Sequence, residues 1–232
     1  MRIKSLFVII FNNLNRVLFK VNWKNLRILS PISNVFGVDR GKPIDRYFIE
    51  NFLDDRKDLI KGVVLEIGDN KYTKMFGFKV TKSEVLTYNI DDSRKNVIIG
   101  DLTKYDNLQN DKYDCIILTQ TLNFIYDYKK AILGVYHLLK EGGSVLVTSS
   151  GISQISEYDN ERWGDFWRFT ENGLMKSFEE VFPKENIIIK SYGNVLSSIS
   201  YLHGISSEEL TEKELGYNDP NYPLLITLIA KK

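Results

Sequence analysis

The run Val63-Val64-Leu65-Glu66-Ile67-Gly68, passing into Asp69-Asn70, constrains this chain more than any other stretch. Four apolar residues, one acid and a closing glycine describe a buried parallel strand that opens into a loop at its carboxyl end. Open α/β sheets bind ligands at that end of their strands. Further strand-like runs follow at Glu84–Ile90, Asn96–Leu102, Tyr113–Thr119 and Ser144–Ser149, and a helical pattern running from Tyr128 to Leu139 separates the last two. Beyond them, Asn186–Lys190 and Tyr222–Ala230 read as two more strands, and Asn194–Tyr201 as a helix.

At 232 residues the chain suits one domain with an attached segment, and 43% hydrophobic and 26% charged residues suit a globular protein. A net charge of +1 hides an asymmetry, because Arg2, Lys4, Arg16, Lys20, Lys24 and Arg27 all precede the first acid, Asp39. The expected division is therefore a basic segment, residues 1–36, and a domain, residues 37–232. Leu6, Phe7, Ile10, Leu14, Val17, Leu18 and Val21 recur at helical spacing, in a run too short to span a bilayer and without a small-residue cleavage site. Two readings stay open for residues 1–21: a helix lying on an anionic membrane surface, or one packed on its own domain or across a dimer. The single cysteine, Cys115, excludes an intrachain disulfide, and its apolar setting predicts a buried thiol. One Cys and two distant His, His137 and His203, offer no zinc spacing, so no metal is expected. No basic-aromatic groove suited to nucleic acid is evident.

The stretch Leu138-Leu139-Lys140-Glu141-Gly142-Gly143-Ser144-Val145-Leu146-Val147, taken with Val63–Gly68, resembles the class I S-adenosylmethionine (SAM)-dependent methyltransferases, and the likeness covers roughly residue 43 to the end. It implies a Rossmann-like α/β fold, a seven-stranded sheet that is mostly parallel with an antiparallel last strand and helices on both faces. It also implies SAM as cofactor. In that family the first strand ends in an acid-x-Gly-x-Gly-x-Gly run; here Glu66 and Gly68 fit, while Asn70 and Tyr72 stand at the next two glycine positions. Asn tolerates left-handed backbone, so Asn70 is expected to supply one turn. By the same resemblance Asp91 or Asp92, with Asn89 as a weaker substitute, would meet the ribose hydroxyls, Asp101 and the Leu102 backbone the adenine, and Gln120 the transferred methyl. A helix opening at Pro43 would cover the pocket, with Arg46 and Tyr47 as acceptor contacts.

The non-periodic segment from Gly151 to Thr170 is dense in rings and charges, the composition of a binding loop on a scaffold. Trp163 and Trp167 could stack on a sugar while Arg168 binds its polar edge, and Asp159, Glu157 and Asp165 are all candidate bases. The competing reading has Trp163, Phe166 and Trp167 capping the sheet and Arg168 pairing with an acid. The tract Arg162–Thr170 resembles methyltransferase-like proteins of bacterial surface-polysaccharide clusters. That implies a small-molecule or lipid-linked glycan acceptor, methylated on a sugar or a sugar-linked phosphate, and a cytoplasmic location with peripheral contact at the inner membrane face. The alternative is a non-catalytic module of the same fold that binds a glycan intermediate or a partner enzyme. Oligomeric state is left open.

Overall fold

A computed structural model describes residues 27–232, whose compact unit runs from Ile32 to Lys232. The amphipathic pattern over residues 6–21 lies outside the described residues. Residues 32–36 belong to the compact unit: the Ser33 hydroxyl donates to Asp39 at 2.5 Å, and the Phe36 ring lies 5.8 Å from Tyr201.

Helix α1 (Ile44–Asp55) starts after Pro43 and buries Ile44, Phe48, Ile49, Phe52 and Leu53 on one face. The chain continues through β1 (Gly62–Ile67), α2 (Lys71–Phe76), β2 (Val80–Thr87), β3 (Val97–Ile99), β4 (Tyr113–Thr119), α3 (Tyr128–Leu138) and β5 (Leu139–Ser150). It ends through α4 (Glu157–Asn160), α5 (Glu171–Glu179), β6 (Ile187–Tyr192), α6 (Val195–Leu202), α7 (Glu212–Gly216) and β7 (Leu225–Lys231). The seven strands form one sheet in the order β3-β2-β1-β4-β5-β7-β6, with β7 antiparallel to both its neighbours and the other pairs parallel. This is the Rossmann-like arrangement the sequence led us to expect.

Alternation along each strand divides the core between two faces. Leu65, Ile116, Leu118, Val145 and Leu228 face α3 and α5, whereas Val64, Cys115, Ile117, Leu146 and Ile229 pack with α1. Burial pushes the Cys115 thiol up, away from reactivity. From β1 the chain builds outward to β3 on one side, then returns to β4 and builds the other way, so the crevice between the ends of β1 and β4 is the topological switch point where such sheets bind ligands.

Two boundaries differ from expectation and matter for the site. Strand β2 stops at Thr87, not Ile90, because Thr87 accepts from the Asn89 N–H and Asn89 from the Asp91 N–H, side-chain bonds that turn the chain off the ladder. Helix α2, which the sequence reading did not foresee, begins directly after the β1 loop.

Candidate functional site

Glu66 shapes the loop at the switch point. Its buried carboxylate accepts from the N–H groups of Tyr72 at 3.0 Å and Thr73 at 2.8 Å and from the Thr73 hydroxyl at 2.7 Å. Those are orphan donors of the first turn of α2, so the acid caps the helix from a distance. Burial nevertheless raises the Glu66 carboxyl above its ordinary range, against the pull of these three donors. With this anchor the loop does not need the second and third glycines. Asn70 sits at φ −123°, so the expected left-handed turn is corrected; its amide reaches Ser83 at 3.3 Å, outside the cavities. Tyr72 is buried, stacks on Phe76, and has its hydroxyl pushed up to about 12 by burial. Only Gly68 keeps the left-handed conformation, at φ +81°, and a side chain there would project into open space.

Two adjoining cavities lie over the ends of β1 and β4, an inner one of about 450 Å³ and an outer one of about 490 Å³. Gly68, Asp69, Gln120, Phe124 and Asp159 line both. Gln120 holds φ +45°, an uncommon conformation for a non-glycine residue and one that recurs at ligand sites. Its Nε2 is buried without a hydrogen-bond partner, while its Oε1 accepts from Ser150 at 2.9 Å. The outer cavity is mostly apolar, with Leu86, Leu102, Ile125, Tyr88 and Trp163 in its wall. The inner one is lined about equally by polar and apolar surface, its polar groups coming from Asp45, Arg46, Lys71, Asn123, Asp165, Arg168 and Tyr201.

The acids expected at the second and third strands are turned elsewhere. Because β2 ends early, Asp91 is exposed and lines neither cavity, and Asp92 is bound by Arg94, which also donates to the Gly68 carbonyl at 2.8 Å. The Arg94 hydrogen bonds hold the Asp92 carboxyl below the usual range. Asp101 caps the turn over Leu102–Asn107, accepting from the Thr103 N–H at 2.8 Å and hydroxyl at 2.7 Å. Burial alone would raise it, but the Thr103 and Tyr88 donors outweigh burial and lower it. Its neighbours Gly100 and Leu102 face the outer cavity instead. Leu102 is held there by close packing: a side chain at Gly134 of α3 would come within 2.1 Å of its carbonyl oxygen.

The loop between β5 and α5 divides. Asp159 lines both cavities, its carboxylate accepting from the Ser156 hydroxyl at 2.6 Å and the Trp163 indole at 3.3 Å; Trp163 walls the outer cavity. Glu157 is exposed and lines neither. Asp165 is locked by both Arg168 Nη atoms, at 2.5 and 2.9 Å, and by the Ser156 N–H at 3.0 Å. Arg168 spends its remaining donors on the Ser153, Gln154 and Trp167 carbonyls. Trp167 packs against Tyr128 and donates to the Ile125 and Tyr126 carbonyls. In α1, Arg46 reaches the inner cavity, but Tyr47 packs edge-on against Phe48. The sequence reading missed Asp69, Tyr88, Asp45, Asn123 and Tyr201. Asp69 and Tyr88 carry a signal, each standing directly beyond the end of a strand, whereas Tyr201 arrives only through tertiary packing of α6.

Among the described residues no cluster of His, Cys, Asp or Glu is suited to a metal ion, and no helix is long and apolar enough to cross a membrane. No protein-family model and no curated protein matches the chain. Solved structures do. A SAM-dependent methyltransferase from Archaeoglobus fulgidus is 16% identical at TM-score 0.53, over 81% of this chain and 94% of that one. One from Mesorhizobium loti is 12% identical at TM-score 0.51, over 84% and 100%. The cyclase SpnF is 14% identical at TM-score 0.53, over 83% and 84%. Likeness at this level of identity establishes the fold these chains share, and the presence of a cyclase among them means that the fold does not dictate the reaction.

Proposed function

We propose that the chain binds SAM across the ends of β1 and β4 and transfers its methyl group to an oxygen of a sugar, or of a phosphate attached to one, in cell-surface glycan assembly. The observation that carries this reading is the pair of cavities, one mostly apolar and one of mixed lining with several charged groups, that meet at Gly68, Asp69, Gln120 and Asp159. Both volumes fall within the roughly 300–1,000 Å³ of small-molecule sites. The residues present fit the cofactor. Gly68 leaves open the space that a Cβ would fill, and the partnerless Gln120 amide offers a donor at the junction. Leu86, Leu102 and Trp163 would hold the adenine, and Arg46 or Lys71 would meet the amino-acid carboxylate. Asp69 would accept from the ammonium or the ribose in place of Asp91 and Asp92.

Bound SAM supplies a methyl group on a sulfonium, which departs as a neutral thioether. The chain's own work is alignment and proton removal. Of the three acids proposed as bases, Asp159 has the better position: it faces both cavities and keeps its partners among side chains, whereas Asp165 is neutralised by Arg168 and Glu157 is remote. Asp159 would take the acceptor hydroxyl proton as the C–O bond forms. The helix face of α1 and the Glu157–Trp163 stretch would admit a small or lipid-linked glycan at the inner membrane face. Incubating the chain with methyl-labelled SAM and glycan intermediates extracted from its source cells tests the reading. Label in the glycan fraction is expected; binding of SAM without transfer to any fraction would favour a non-catalytic module.

A further inference from the structure

We propose that the outward face of α6 is a membrane-contact surface that seats the domain on an anionic bilayer. This goes beyond the methyl-transfer reading and does not depend on it. Helix α6 has its polarity reversed. Ser197, Ser198 and Ser200 face the core and are buried, whereas Val195, Leu196, Ile199 and Leu202 stand 36–49% exposed. A helix on a globular domain ordinarily turns its apolar stripe inward, so an outward stripe marks an interaction surface. The apolar track continues past the end of the helix. The Ile32 and Ser33 N–H groups both donate to the His203 carbonyl, at 2.9 and 3.0 Å, and Ile32, Val35 and Val38 are exposed along the segment that follows. Val38 also lines the inner cavity, as does Tyr201 on the inward side of α6, so the track runs to the cavity wall.

Charge and size together name the partner. Helix α6 contains no Asp, Glu, Lys or Arg, which suits insertion at the boundary between headgroups and acyl chains. The acids of the turn beyond it are engaged, Glu209 by the Arg40 guanidinium and Glu208 by the Lys42 N–H at 2.9 Å. Glu212 and Glu214 of α7 flank the opposite end of α6, where the Asn194 amide donates to the Glu214 carbonyl at 2.7 Å. At the His203 end the chain enters the domain from a sequence that carries Arg2, Lys4, Arg16, Lys20, Lys24 and Arg27 and no acid before Ile32. An apolar stripe whose end adjoins a basic segment matches an anionic lipid surface, which attracts cations and accepts aliphatic side chains. A second copy of the chain fits less well, because the partly exposed side chains of one two-turn helix fall short of the roughly 800 Å² per partner of a stable interface.

The test mixes the full chain with vesicles of phosphatidylcholine and phosphatidylglycerol in equal parts, at low salt and again at high salt, where purely electrostatic attachment is screened. The parent is expected to bind in both. Leu196→Ser combined with Ile199→Ser should lower vesicle affinity at least about tenfold, with melting curves confirming that the variant folds. Leu196→Trp reports insertion directly: its added emission should shift to the blue on mixing and be quenched by lipids brominated on their acyl chains. No vesicle binding by the parent, equal affinity in the double variant, or added emission that brominated lipid leaves unquenched would overturn the proposal. A parent that sediments as a dimer, and that the same two serines dissociate, would overturn it as well and make α6 an interface between copies. No SAM enters the test, so failure of the methyl-transfer reading leaves this result standing, and failure here leaves that reading untouched.

Discussion

Residues 156–163 and 164–169 are neighbours in one loop, drawn from the same aromatic and charged residue types, and they differ in what satisfies their aspartates and tryptophans. In the first stretch the Asp159 carboxylate meets only side chains, the Ser156 hydroxyl and the Trp163 indole. In the second, Asp165, Trp167 and Arg168 close against backbone groups: the Ser156 N–H and the carbonyls of Ile125, Tyr126, Ser153 and Gln154. Side-chain partners can re-form around a ligand at small cost, whereas backbone partners fix where the chain runs. Charge and aromatic density therefore mark the loop as important without saying which half serves the ligand. The bonding to backbone makes that distinction.

The sharpest way to break the contrast is at its two aspartates. Asp159→Asn should lower methyl transfer by about 10²–10⁴-fold, the range for a positioned base, with S-adenosylhomocysteine affinity kept. A rate loss of less than tenfold would remove Asp159 from that role. Asp165→Ala should act on the fold instead, costing about 3–5 kcal/mol in urea denaturation, because it strands Arg168 beside an Asp165 position whose side chain is 1% exposed. A variant as stable as the parent would mean that the pair does not hold the loop.

These two residues also mark what the sequence made legible. The individual strands and the corner at Gly142–Gly143 follow from hydrophobic runs and turn residues, which act locally, while the seven-stranded sheet came from the family resemblance. Placing Asp165 among the bases, and Trp167 and Arg168 among the acceptor contacts, required knowing which carbonyls the loop passes, and that depends on packing against Tyr128 and on residues 120–126. The same limit explains Asp91 and Asp92. The sequence runs on as strand-like to Ile90, but side-chain bonds from Thr87 and Asn89 end β2 early and carry both acids past the cavity. Asn123 and Tyr201 had no local signal at all.

Smaller effects sharpen the contrast further. Trp163→Ala should weaken S-adenosylhomocysteine by about 0.5–1.5 kcal/mol, the value of an aromatic contact, and leave the urea midpoint close to the parent's. Trp167→Ala should do the reverse, lowering stability and sparing affinity. Should Trp167→Ala cost more affinity than Trp163→Ala, the division of the loop would be drawn in the wrong place.

The exposed Arg40–Glu209 pair calibrates what a polar contact is worth outside the buried network. Arg40 hydrogen bonding holds Glu209 down at about 2, so its contribution is complete above the usual glutamate range and is lost as pH falls through that low value. Arg40→Ala should therefore lower the urea midpoint only slightly at neutral pH, and the difference from the parent should vanish in strong acid. A difference that persists there would have another origin.

The cavities meet at Gly68, so one titration bears on the central claim most directly: S-adenosylhomocysteine into the full chain and into Gly68→Val. At φ +81° valine is strained despite the open space around it, so it should fill the junction or shift the loop while the strands beneath remain paired. The expected result is one ligand per parent chain and no measurable binding to a Gly68→Val variant whose circular dichroism matches the parent. Absence of heat with the parent, or equal affinity in the variant, would contradict the placement of a cofactor across this loop.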